Sequence, residues 1–407
     1  MSRVEWTVSR LPKDITMIRI YDKETQYFEA LWEIPEGIEY NSYLMFTEEG
    51  GILIDTGPKD SSAFMEALRS IASPSDIKAI VVNHMEPDHS GALRELLDSN
   101  QEIKVVSHPL SFKLMESFYS ISPRFKLEVK DGAEMQLAGE SVKFFQLPWL
   151  HWPETIVTYS KSRSALFTGD IFGAYSLPKD PLIGSMQLDP DYLWSMKKYF
   201  VNVIGAYRSN VLNAVKKLRD SNLSPEIVLP AHGSAFSGNR ILEELLSLYE
   251  SWATCSERGK NVIAFTSMYG FSEEVSRELI HIFEKMGLEY RIFSFTSKGR
   301  EAFSDTIAAM QDAPLIVLIS STYENSTHPL MNYLVSLMEK KLCKDKNILV
   351  IGTYGWGGGI AASSLVETLT KAGFRVLGSI SVRSTITSND KLLIREALEK
   401  QLHQKAA

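Results

Sequence analysis

The stretch Ile80-Val81-Val82-Asn83-His84-Met85-Glu86-Pro87-Asp88-His89-Ser90-Gly91 decides how the first part of this chain is read. An apolar strand runs directly into four potential metal ligands within six residues, His84, Glu86, Asp88 and His89, and Gly91 permits a tight entry into the next helix. Working outward, further candidates stand at comparable turns. His151 follows Pro148-Trp149-Leu150, Asp170 ends Phe167-Thr168-Gly169-Asp170, and His232 lies in Leu229-Pro230-Ala231-His232-Gly233. Each comes at the end of an apolar strand, where a sheet presents side chains at one edge. Taken singly, the paired histidines read as solvated or helix-capping, His151 as a packed core histidine and Asp170 as a turn former. Taken together they repeat one pattern, which uses four of the eight histidines in the chain.

Four histidines and three carboxylates suit two metals with three protein ligands each and one carboxylate to bridge them. The donors are all nitrogen and oxygen, with no thiolate, and are richer in carboxylate than a typical zinc hydrolase site. Such donors suit a hard, redox-variable iron. A di-iron carboxylate/histidine centre with open positions points to small-molecule chemistry of the O2 type.

Composition supports a folded, soluble reading. At roughly 100–200 residues per domain, 407 residues predict two or three domains. The content is 44% hydrophobic and 23% charged, and Lys+Arg 43 against Asp+Glu 50 leaves a net charge of −7. With no basic cluster, a nucleic-acid or anionic-membrane partner has no electrostatic support. The first residues lack the apolar core of a signal peptide, and no apolar run is long enough to span a bilayer, so a cytoplasmic protein is expected. Cys255 and Cys343 are the only cysteines, which argues against a disulfide framework, an iron–sulfur cluster held by four cysteines or a rubredoxin-type iron site.

Residues 1–250 read as short strands with helices at intervals, which predicts two mixed sheets between helical layers. The polar segment 251–260 is read as a linker. From 261 to 407 apolar strands alternate with amphipathic helices, and Val275, Leu279, Ile282, Phe283 and Met286 form one helical stripe. That alternation implies an α/β unit, a parallel sheet covered on both faces, with ligands at the carboxyl ends of its strands. Three such ends stand out. The first is Ser267-Met268-Tyr269-Gly270-Phe271-Ser272, a hydroxyl-flanked helix start suited to phosphate, though equally to an ordinary helix cap. The second is Ser320-Ser321-Thr322-Tyr323-Glu324-Asn325, and the third is Thr353-Tyr354-Gly355-Trp356-Gly357. Small residues there let the backbone approach a planar ring, and Tyr354 and Trp356 supply aromatic faces. No dinucleotide fingerprint accompanies them, so a direct NAD(P)H site is not indicated.

The pattern His84-x-Glu86-x-Asp88-His89 with His151, Asp170 and His232 resembles the metallo-β-lactamase superfamily, with one departure. Its hydrolases carry a histidine where this chain has Glu86, and the Glu form is similar to that of the flavodiiron proteins. Leu53-Ile54-Asp55-Thr56-Gly57 also looks like the superfamily's early Asp-Thr-Gly, with Asp55 orienting a ligand histidine. The three later loops resemble flavodoxin, and Ser-Met-Tyr-Gly-Phe-Ser is close to the flavodiiron form. The second loop departs from the family's common Ser-Pro-Thr.

The resemblance covers essentially the whole chain. It implies a metallo-β-lactamase αββα sandwich followed by a flavodoxin-like doubly wound sheet. It also implies that His84, Glu86 and His151 hold one iron and Asp88, His89 and His232 the other, with Asp170 bridging; the family does not always coordinate through the position of His89. The first flavodoxin loop would hold the FMN phosphate, and the other two would flank the ring. The implied reaction is reduction of O2 to water or NO to N2O, with electrons relayed through FMN. A head-to-tail homodimer, or a dimer of dimers, would bring one subunit's FMN to the other's irons. With no rubredoxin-type cysteine site in these residues, the donor is expected to be external: rubredoxin, a reduced deazaflavin or an NAD(P)H-linked reductase. The choice between O2 and NO stays open. Two other readings compete, a zinc hydrolase with a regulatory flavodoxin domain, against which Glu86 argues, and a flavodoxin-like electron carrier with a structural metal domain.

Overall fold

Ile52 and Ile54 of strand Gly50–Ile54, with Ala79 and Val81 of strand Ile77–Val81, face one core, while Leu53 and Ile80 between them face another. Strict alternation of this kind makes a sheet buried on both sides. The inner core packs those residues, with Tyr43 and Met45, against Val142, Phe144, Ile156, Phe167 and Leu229 of a second sheet. The outer core packs Leu53 and Ile80 against Phe64, Leu68, Leu93, Leu96, Phe112 and Met115 on helices. The computed structural model describes residues 5–59, 62–184 and 188–404, and the chain divides into two compact units, residues 1–253 and 254–407.

In the first unit each of the two sheets has seven strands. The first runs, in spatial order, Glu5–Leu11, Ile15–Asp22, Ile38–Thr47, Gly50–Ile54, Ile77–Val81, Lys104–Ser107 and Phe125–Glu128, antiparallel at one end and parallel at the other. The second runs Glu134–Leu137, Glu140–Gln146, Ile156–Ser160, Ala165–Gly169, Ile227–Pro230, Ala235–Ser237 and Leu182–Gly184. Three of these strands, Glu5–Leu11, Phe125–Glu128 and Glu134–Leu137, carry no clear sequence signal. All three are edge strands with largely exposed or half-buried side chains, so the apolar alternation that marks a strand is diluted.

The apolar pattern predicts a helical segment over Tyr192 to Leu218 with a break near Gly205, and the interruption found there is longer than a single kink. Helix Pro190–Tyr199 passes through a π-helical turn, Phe200–Ile204, and a 3-10 turn, Gly205–Tyr207, before helix Arg208–Asp220. The apolar pattern predicts a helix over Ser61 to Ile71; the helix observed is Ser62–Arg69, and Ser61 lies outside the described residues.

The second unit is a sheet in the order Gly299–Arg300, Tyr290–Thr296, Asn261–Ser267, Leu315–Tyr323, Asn347–Tyr354 and Arg375–Arg383, parallel throughout except at its first, two-residue edge strand. Leaving that short edge aside, its strands follow the doubly wound order 2-1-3-4-5. The stripe Val275, Leu279, Ile282 and Phe283 covers Ile263, Val317, Ile319 and Ile351 on one face, with Met286 packed at its margin. Cys255 and Cys343 are joined in a disulfide within this unit, contrary to the expectation drawn from their small number. They lie 88 residues apart, and folding brings the turn after helix Ile241–Thr254 against the end of helix Pro329–Lys341. Among the described residues no helix is long and apolar enough to cross a membrane.

Candidate metal centre and flavin site

Four strand ends converge at one edge of the sandwich. The strand Ile77–Val81 releases the loop carrying His84, and Pro87–Ser90 closes it as a single helical turn. The Asp55-Thr56-Gly57 segment clasps this loop: Asp55 Oδ1 accepts from Asn83 N, Thr56 N donates to His89 O, and Gly91 N donates to Gly57 O. Asp55 therefore holds the backbone that carries His84 rather than bonding a histidine ring. Gly91 has helical dihedrals, and a Cβ there would come within 2.2 Å of the Pro58 backbone. Its need for glycine comes from that close approach rather than from a turn.

Strands of the second sheet supply the rest. His151 follows Glu140–Gln146, Asp170 follows Ala165–Gly169, and His232 follows Ile227–Pro230. The seven candidates fall into two groups, His84, Glu86, His151 and Asp170, and Asp88, His89 and His232, whose donor atoms within each group lie within 4.8 Å of one another. In the first, Glu86 Oε2 is 2.9 Å from His151 Nε2 and 3.2 Å from His84 Nε2. Asp170 Oδ2 is 3.3 Å and 3.4 Å from the same two nitrogens. Asp170 Oδ1 turns to the other group, 3.0 Å from His89 Nε2 and 3.1 Å from His232 Nε2. One carboxylate thus presents one oxygen to each group.

The spacing fits metal ions. Donors about 2.1 Å from a common ion lie about 3.0–3.4 Å apart for octahedral or tetrahedral angles. Both oxygens of Asp88 and Oδ2 of Asp170 are buried without a hydrogen-bond donor, a costly state unless a cation completes them. In the metal-free protein protons take that cation's place. Burial opposes charge on His84, but hydrogen bonds to Glu154 and Glu86 and the Asp170 charge outweigh it and hold its pKa near 9. Burial is likewise overcome at His89 by the charges of Asp88 and Asp170, which hold it near 10. Asp170 is driven well below the usual carboxylate range because the surrounding histidines outweigh its burial. Asp88 is pushed up by burial and by the Glu86 charge.

Two residues behind the ligands carry no clear signal in the sequence. Glu154, fully buried, accepts from His84 Nδ1 at 2.9 Å and from Met85 N at 3.1 Å. Tyr199 donates to Asp170 Oδ1 at 2.9 Å. Glu154 stands three residues after His151 but serves His84, 70 residues away, and Tyr199 reaches Asp170 from a separate helix.

In the second unit a cavity of about 230 Å3 opens at the carboxyl ends of the sheet. It is lined by Ser267, Met268, Tyr269, Phe271 and Ser272 from the first loop, Ser321 and Thr322 from the second, and Thr353, Tyr354, Gly355 and Trp356 from the third. Ser384, after the last strand, completes the lining and carries no sequence signal. Gly270, with φ 94°, begins helix Phe271–Lys285 without facing the cavity, and Ser267 Oγ accepts from its N–H. Ser272 and Thr353 hydroxyls meet at 2.8 Å. Tyr323, Glu324 and Asn325 are not in the lining; they make a hairpin turn in which Tyr323 pairs Ser326. Gly357 also stands outside the lining, where a Cβ would come within 2.8 Å of Asn325 Oδ1. Tyr269 is 86% and Trp356 65% exposed, so neither ring is core and both faces are open to a planar ligand.

Comparison with known proteins agrees with both halves. The family described as ODP family beta lactamase matches residues 38–233. The rubredoxin-oxygen oxidoreductase of Megalodesulfovibrio gigas is 25% identical over 359 residues, 88% of each chain. The nitric oxide reductase of Moorella thermoacetica is 25% identical over 358 residues, 86% of each chain. Among solved structures, a histidine-to-aspartate variant of the flavo di-iron protein of Thermotoga maritima superposes with a TM-score of 0.90, at 32% identity and over 100% of both chains.

Proposed function

The chain belongs to the flavodiiron family, and on that premise we propose that it is an oxidoreductase that reduces O2 to water, NO to N2O, or both. The observation that carries this reading is the pair of adjacent ligand groups, with Glu86 where zinc hydrolases of the superfamily use histidine. His84, Glu86 and His151 would hold one iron, Asp88, His89 and His232 the other, and Asp170 would bridge. The loops at Ser267–Ser272, Ser321–Thr322 and Thr353–Trp356 would hold FMN.

When bound, the irons supply Lewis acidity and two electrons, and reduced FMN supplies two more. The protein's own part is placement. Asp170, with one oxygen toward each group, sets the separation of the two positions. Glu154 fixes the His84 tautomer so that Nε2 faces the site. Burial of His84, His89, Asp170 and His232 keeps bulk water from those donors. Reduction of O2 consumes four protons and four electrons, and reduction of two NO consumes two of each. Both must therefore reach a site with little solvent of its own.

The electron donor is proposed to be external, a rubredoxin, a reduced deazaflavin or an NAD(P)H-linked reductase, acting on a cytoplasmic enzyme. A head-to-tail homodimer would let one chain's FMN serve its partner's irons, and the exposed Trp356 and Tyr269 suit such a role. A strictly monomeric preparation with full turnover would overturn the dimer. Metal analysis of protein grown with both iron and zinc, followed by anaerobic reduction and addition of each gas, tests the whole reading. Iron with FMN and stoichiometric water or N2O is expected; two zinc and no iron would end it.

A further inference from the structure

The strand Ile38–Thr47 carries no candidate ligand, yet one of its faces is spent on the segment that holds His232. Residues 39, 41, 43 and 45 share that face by strand periodicity. Tyr43 and Met45 are in the core between the sheets, while Glu39 and Asn41 continue the face toward the metal centre. Asn41 donates three hydrogen bonds to the backbone around His232. Its N–H bonds Ala231 O at 2.8 Å, and its side-chain Nδ2 bonds Gly233 O at 2.7 Å and Pro230 O at 3.2 Å. Both side-chain partners are carbonyls, which only accept, so the amide nitrogen must face them. Tyr43 hydroxyl adds a bond to Pro230 O at 2.6 Å. The ring of His232 is held by the same strand: Nδ1 donates to Glu39 O at 2.8 Å, which leaves Nε2 free to face Asp170 and Asp88.

These bonds cross between the sheets. Asn41 and Glu39 belong to the first sheet, and His232 follows a strand of the second. The donating strand is itself fixed from behind. Arg19, which pairs with Asn41 in register on the neighbouring strand, bonds Glu39 Oε2 through Nε at 3.1 Å and Nη2 at 2.7 Å, and also donates to Pro178 O. Arg19 and Glu39 are both buried, so this ion pair is not solvent-screened like a surface pair.

We propose that Asn41 is a positioning residue for the second metal position. Acting through the 230–233 backbone, it sets where His232 Nε2 stands relative to Asp88 and His89 on the opposite sheet. The inference rests on the metal-centre reading above. It adds that the placing of His232 within the second ligand group depends on an amide side chain outside the ligand set. Outer partners of metal ligands typically contribute about 10–100-fold in metal affinity.

The test is titration of the metal-free full chain with cobalt(II), followed by visible absorption, and with iron(II), followed by calorimetry. Wild type is compared with Asn41→Asp, which keeps the shape but sets a carboxylate against two carbonyls, and with His232→Asn, which marks the step that belongs to the second position. Asn41→Asp is expected to weaken that same step about 10–100-fold, to change its cobalt spectrum and to leave the other step within twofold. If Asn41→Asp binds both ions like wild type, or loses both steps equally, the positioning role is wrong. If wild type fails to bind two ions, the metal-centre reading itself falls, and the inference with it. Should Asn41→Asp not fold, Asn41→Ser, small and neutral, is titrated against the same outcomes.

Discussion

Nδ1 of His84 and Oε1 of Glu154 stand 2.9 Å apart with both side chains excluded from solvent, although 70 residues separate them. The carboxylate holds the ring so that Nε2 points at Glu86 and Asp170, and it raises the basicity of that nitrogen. Glu154→Gln keeps the shape and removes the charge. It is expected to lower affinity for the first metal position about 10–100-fold while FMN content stays at wild-type level. Metal and flavin analysis of the same purified sample checks this, and a loss of FMN with metal intact would contradict it.

Metal uptake is expected to release protons. In the metal-free protein His84 titrates near 9 and His89 near 10, both raised from 6.5, so both are cationic at pH 7 and must lose a proton to bind metal. His151 is likewise raised well above 6.5, its burial outweighed by hydrogen bonds to Asp170 and Glu86, so about three protons per chain are expected at pH 7, read by an indicator dye in weakly buffered solution. Affinity rises with pH through about 9 to 10 as His84 and His89 give up their protons. The metal-free fold runs the other way. Its raised histidines stabilise it fully below their unfolded value, and that contribution is lost as pH climbs through about 9 to 10. Denaturant melts of the chelated protein across that range check the sign.

Gly91→Ala places a methyl against the Pro58 backbone, which cannot move aside as a side-chain tip would. A destabilisation of about 1–3 kcal/mol or more is expected, with metal lost before the fold, because the same contact joins the Asp55–Gly57 segment to the ligand loop. Thermal melts with and without added iron distinguish the two losses.

Reduction of the Cys255–Cys343 bridge reopens a span of 88 residues in the second unit. In the chain-entropy model a loop of that length corresponds to about 4–5 kcal/mol of stability. Dithiothreitol, or Cys255→Ser with Cys343→Ser, is expected to lower the unfolding temperature of the flavodoxin-like unit and leave that of the metal-binding unit unchanged. Calorimetry resolving two transitions checks this, and equal shifts in both would count against it.

Much of the architecture could be read directly. His84, His151, Asp170 and His232 each follow a buried apolar strand, and strand ends are where a sheet edge gathers side chains from distant segments. The doubly wound half was legible because helix Phe271–Lys285 carries a clean apolar stripe over a continuous apolar strand. What escaped was whatever acts across long separations without a motif. Glu154 and Asn41 are ordinary polar residues until the sheets are packed face to face, Ser384 reaches the cavity only through the last strand, and the cysteine pair is hidden by its spacing. Tyr323, Glu324 and Asn325 stand at the right strand end, where the chain also turns through a short hairpin.

The seven candidate ligands are drawn from both sheets and span residues 84 to 232. A pair of bound ions would therefore act as a clasp at one open edge of the sandwich, tying layers that elsewhere meet through apolar side chains and cross-sheet bonds such as those of Asn41. By mass action, whatever binds the folded form alone stabilises it in proportion to the logarithm of its concentration. The lifetime of the fold is then tied to the supply of the metal it uses, so that iron limitation would remove the protein along with its activity.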